Sequence, residues 1–76
     1  MHTAPMVGVV LDSLRDEAGL TVVALEKLTK IPRMTLRRRL DGDPKITFDE
    51  VERICAALGA DVLDVYSTAA TQAAVA

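Results

Sequence analysis

Lys27–Leu40 reads KLTKIPRMTLRRRL, fourteen residues that hold six of the chain's nine basic side chains and no acid. The other 62 residues hold three basic and all eleven acidic side chains, so a chain of formal net charge -2 has gathered its positive charge in one segment. The segment carries its own punctuation. Pro32 lacks an N–H and fits the first turn of a helix, so a helix is expected to begin at Pro32 or Arg33. Leu36 and Leu40 stand at i, i+4 on its inner face, and Asp41-Gly42 ends it. Upstream, Thr21 suits the N-cap of a helix running to about Leu28 and burying Val22, Leu25 and Leu28. The prediction is two helices, at about 21–28 and 32–41, joined by a tight turn.

Outward from this pair, Val7, Val10, Leu11, Leu14 and Ala18 fall at i, i+3, i+4, i+7 and i+11. That is one apolar stripe on a helix from about Met6 to Ala18, closed by Gly19. Residues 1–5 are expected to precede it as a flexible N-terminus. On the other side, Asp43-Pro44-Lys45 reads as a turn, and Thr47 with Glu50 three residues on forms a capping box. The helix it opens carries the stripe Phe48, Val51, Ile54, Cys55 and Leu58 and stops at Gly59. A fifth helix follows from Asp61, with Val62, Leu63, Val65 and Tyr66 as packing candidates. Residues 67–76 form an Ala-rich tail with helix propensity but little to pack, expected to fray or to offer a partner surface. No segment alternates with period two over strand length. The fold class is all-α, five helices in one compact domain over 6–66.

Composition narrows the function classes. Seventy-six residues make one small domain, which hides only about 60% of its unfolded surface and would be helped by dimerisation. With no Trp, one Phe and one Tyr, the core must be aliphatic. Cys55, the only cysteine, cannot form an internal disulfide and lies on an apolar stripe, so it is expected in the core. His2 is the only histidine, and one His with one Cys gives no metal site of the usual spacing. Ser13 and Ser67 have no His base nearby, and no Gly-rich phosphate loop occurs. The expectation is a protein that is not an enzyme and takes no cofactor or small-molecule ligand. No apolar run approaches the roughly 20 residues of a membrane span. MHTAPMVGVV has no positively charged leader, so a cytoplasmic, nucleoid-associated location is expected.

The order and spacing from Leu20 to Leu63 resemble the helix-turn-helix domain of the lambda-repressor/Cro (XRE-like) family. Ala24–Gly42 (ALEKLTKIPRMTLRRRLDG) is similar to the family's two-helix reader. Ile46–Val65 (ITFDEVERICAALGADVLDV) is similar to its next helix, Leu-Gly stop and final helix. Two positions depart from the family's pattern: Glu26 stands where a small residue is usual, and Lys30 where Gly is usual in the turn. If the turn is left-handed at Lys30, the strain is roughly 1–2 kcal/mol.

The resemblance implies a transcription regulator, most like a small phage Cro or immunity repressor, that occupies a double-stranded DNA operator. A surface helix that is merely solvated normally mixes charge signs, whereas this segment holds one sign throughout. A basic helix after a tight turn lays side chains into the major groove. Arg33, Arg37 and Arg38 are expected to face base edges together, with Met34 beside them. Arg offers a planar fork to guanine O6 and N7, and Met34 an apolar contact to a thymine methyl. Thr21, Lys27, Lys30, Thr35, Arg39, Lys45 and Thr47 are the candidate phosphate contacts, which fix register without carrying sequence information. For Arg39, at the helix edge with its stem packed, a phosphate and an acid are both open as partners. A homodimer through the fifth helix and the tail would supply two readers. Two alternatives share the fold: the antitoxin of a toxin–antitoxin pair, and a protein-interaction module that has lost DNA binding.

Overall fold

The computed structural model describes residues 3–75. Five helices follow in order: α1 (Thr3–Glu17), α2 (Val22–Thr29), α3 (Arg33–Leu40), α4 (Phe48–Leu58) and α5 (Val62–Val75), with no strand among the described residues. The caps explain the boundaries. Thr21 Oγ1 accepts from the Ala24 N–H at 3.1 Å. The Thr47 N–H donates to Glu50 Oε1 at 2.9 Å, while the Glu50 N–H donates to Thr47 Oγ1 at 3.1 Å. Each such cap contributes typically about 1 kcal/mol. Gly59 closes α4 in the left-handed region, φ 69°.

One core holds the five helices together. Val7 and Leu11 of α1, Leu25 of α2, Leu36 of α3, Val51 and Ile54 of α4 and Val65 of α5 are all buried, with Cys55 among them. α1 packs against α3 and α4, and most extensively against α5. Where α1 meets the end of α3 there is no space for a side chain. A Cβ on Gly8 would lie 1.9 Å from the Arg39 carbonyl oxygen.

Several expectations are corrected here. α1 begins at Thr3 and not at Met6, and Pro5 suits its first turn because its missing N–H is not needed there. Met1 and His2 lie outside the described residues. Ala18 is exposed in the turn that follows α1. Leu28 is 58% exposed and Thr29 is buried in its place. A helix advances about 100° per residue, so Thr29 returns between Val22 and Leu25 while Leu28 swings past them. Burial of Thr29 leaves no polar group unsatisfied. Its hydroxyl donates to the Leu25 carbonyl at 2.8 Å and accepts from the Ile31 N–H at 3.2 Å.

Phe48, in the first turn of α4, is 57% exposed and stacks on Tyr66, ring centroids 6.1 Å apart. Leu63 is 76% exposed, and the buried side chains of α5 are Val65 and Ala69, at i, i+4. The Ala-rich tail is therefore part of the fold. Residues 67–75 continue α5 and Ala69 enters the core; Ala76 lies outside the described residues. Among the described residues no helix is long and apolar enough to cross a membrane.

Candidate nucleic-acid interface

The turn between α2 and α3 is built from the two residues that depart from the family's pattern. Lys30 takes the left-handed conformation, φ 62° and ψ 23°, and its N–H donates to the Glu26 carbonyl at 2.8 Å. It is the one non-glycine residue at positive φ among those described, and the strain of roughly 1–2 kcal/mol applies. Pro32, the N-cap of α3, makes no side-chain cap bond. Glu26 substitutes for it from α2: its Oε2 accepts from the Arg33 N–H at 2.9 Å and its Oε1 from Arg33 Nε at 3.3 Å.

α3 is thereby held by both flanks and its inner face. Leu36 and Leu40 are buried. At about 100° per residue, Met34 and Arg38 stand opposite those leucines, and Arg37 stands one turn on from Arg33 along the flank toward α2. Arg33, Met34, Arg37 and Arg38 are all exposed, Met34 at 73%. The four expected base-facing side chains do share the solvent side of α3. Their centre is Met34 and Arg38, however, because Arg33 is drawn toward α2 by Glu26. The helix itself contains no acid, so three guanidinium groups and one thioether surface face outward together.

Arg39, whose guanidinium could meet a phosphate or an acid, meets two acids. On the flank toward α4, its Nε donates to Glu50 Oε1 at 2.9 Å and its Nη1 to Asp43 Oδ2 at 2.6 Å. The side chain is only 16% exposed. The Glu50 hydrogen bond, against an opposing cost of burial, and the charges of both acids hold its guanidinium above its ordinary pKa. Arg39 ties α3 to the turn and to the capping box of α4.

The Lys45 backbone N–H, at 2.9 Å from Asp43 Oδ1, holds the Asp43 carboxyl below its ordinary value, and the Arg39 charge adds to this against the cost of burial. A carboxyl lowered on folding contributes stability that is fully present above the ordinary Asp value of about 4 and is lost as pH falls through the folded one. Melting temperature followed from pH 5 to pH 2 should therefore fall less steeply in Asp43→Asn than in the parent chain. Equal slopes would show that the turn carboxylate has no such linkage.

Lys27, Lys30 and Lys45 are exposed, as are Thr21 and Thr47, while Thr35 is half-buried. The hydroxyls of Thr21 and Thr47 already accept the cap bonds of α2 and α4. Pattern reading missed three participants. Glu26 was read as a departure and not as a cap. Arg53 donates from Nη1 to the Thr29 carbonyl at 3.5 Å and pairs with Asp49 at 3.0 Å, linking α4 to the end of α2. Gly8, between stripe residues of α1, gives no signal in the apolar pattern.

Residues 7–65 match the family model described as a helix-turn-helix domain. The chain belongs to that family. Among solved structures, this helix-turn-helix domain is similar to the clp gene regulator ClgR from Corynebacterium glutamicum, with TM-score 0.88 and 27% identity. The alignment covers 96% of this chain and 78% of that one. No curated protein gave a match. The family match runs from Val7 within α1 to Val65 within α5 and thus includes the whole α2–turn–α3 unit and α4.

Proposed function

We propose that this helix-turn-helix domain is a sequence-specific double-stranded DNA-binding transcription regulator of the Cro or immunity-repressor type, with no catalytic activity. It would occupy an operator by laying α3 in the major groove. The observation that carries the reading is the outer face of α3, where Arg33, Met34, Arg37 and Arg38 are exposed on a helix without a single acid. The likeness to ClgR, by name a clp gene regulator, supports it. Arg37 and Arg38 are free of the ion pairs that hold Arg33 and Arg39 among the described residues, and are the arginines best placed to meet base edges. Lys27, Lys30 and Lys45 serve phosphates.

One helix reads only a few base pairs, too few to single out a site among about 10⁶ competitors. Two copies on a palindrome meet that demand, with half-sites about 34–36 Å apart. Part of the surface of α5 is taken up by α1, so a second copy would use what remains around exposed Leu63 and Phe48.

The test is selection of bound duplexes from a random library, followed by titration of the selected and a random duplex over a range of salt. The log–log salt slope should be about -3 per bound copy for the three lysine–phosphate contacts. Arg37→Ala should weaken the selected duplex at least about tenfold more than the random one. Lys45→Ala should weaken both alike and make the slope shallower by about 1. Sedimentation should show two chains per selected duplex. No binding at low salt would overturn the reading in favour of a protein-interaction module.

A further inference from the structure

We propose that Glu26 is a positioning residue that sets the base preference of Arg33. The inference rests on the DNA-binding reading above and adds a residue to it. Glu26 is on α2, yet its carboxylate reaches seven residues along the chain to the start of α3 and makes two different bonds there. One oxygen accepts from the Arg33 backbone N–H at 2.9 Å, and the other accepts from Arg33 Nε at 3.3 Å. The first bond does what Pro32 cannot do for the helix end. The second holds an Arg33 side chain that is still 59% exposed.

Holding Nε has a geometric consequence. An Arg can offer guanine two parallel N–H groups from its side edge, which includes Nε, or from its terminal edge. With Nε engaged, only the terminal edge remains, aimed along a direction that Glu26 and the helix start together define. A planar fork limited to one edge and one direction discriminates better than one free to slide onto the nearest phosphate. The same carboxylate also puts negative charge at the N-terminus of α3, where a phosphate would otherwise be drawn by free N–H groups. The backbone of the duplex is thus kept from that helix end, and base edges are the available partners.

The experiment uses the full chain and the duplex selected from a random library, with each base pair replaced in turn. Glu26→Gln keeps an amide oxygen for the Arg33 N–H and removes the charge. Glu26→Ala introduces the small side chain usual at this position, a substitution the fold should accept. Circular dichroism and melting temperature report folding for both. In Glu26→Gln, affinity for random duplex should rise a few-fold as repulsion is lost. Discrimination should fall about tenfold at one base pair, the pair at which Arg33→Ala also loses its preference, and nowhere else. Combined with Arg33→Ala, the Glu26 change should have no further effect at that pair.

Unchanged discrimination in Glu26→Gln, or an equal loss at every base pair, would overturn the proposal and leave Glu26 as a helix cap. Failure of the parent chain to bind any duplex would instead overturn the DNA-binding reading on which it rests.

Discussion

Gly8→Ala should lower the melting temperature by roughly 15 °C, corresponding to about 3 kcal/mol in a domain this small. The sign is the informative part. In an exposed helix interior, replacing Gly by Ala stabilises by about 1 kcal/mol, because Gly has the greater backbone freedom to lose. Gly8 sits inside α1 but is buried against α3, where a Cβ would stand 1.9 Å from the Arg39 carbonyl oxygen and 3.1 Å from its carbon. The obstacle is backbone, which cannot rotate aside as a side chain would. α1 must move off the C-terminal end of α3, and the contacts of Val7 and Leu11 loosen with it. Thermal unfolding followed by circular dichroism is the measurement. A melting temperature equal to or above the parent's would show that the two helices do not approach as closely as described.

Arg39→Ala should lower stability by about 2 kcal/mol, some 8–16 °C in melting temperature, while leaving the salt dependence of DNA binding unchanged. The loss follows from what is left behind. Glu50 is only 15% exposed, and without Arg39 its carboxylate keeps the capping box but has no counter-charge. The unchanged salt slope follows from the direction of the side chain, since a guanidinium shared between two carboxylates is not neutralising a phosphate. A phosphate contact would behave in the opposite way: little change in melting temperature and a slope shallower by about 1. The two measurements separate the roles without a structure of the complex.

The helices were legible in the sequence because their ends are written in side-chain chemistry. Thr21, the Thr47–Glu50 box and Gly59 each act through bonds within a few residues, and the stripe of α1 repeats often enough to fix its face. Errors arose where a partner was distant or a pattern short. On the eight-residue α2, three apolar residues at spacings of three drift around the helix, so Leu28 was assigned inward and Thr29 overlooked. Ala69 is too small to mark a stripe, yet it is the residue that brings the tail into the core. At the candidate interface the exposed set on α3 could be read from its charge. The counter-charges could not, because Glu26 reaches Arg33 across a turn and Glu50 reaches Arg39 across a turn and a cap. A carboxylate seven or eleven residues away carries no periodic signal.

The packing of α1 against α5 has a consequence during synthesis. α1 packs most extensively against α5, which is made later, so its stripe of Val7, Val10 and Leu11 must wait for Val65 and Ala69. At about 5–20 residues per second that wait lasts a few seconds. The α2–turn–α3 unit emerges during it, with its arginines already translated but with α1 not yet fully seated behind it. The domain should therefore gain a firmly seated recognition helix only once α5 has been made and has packed on α1.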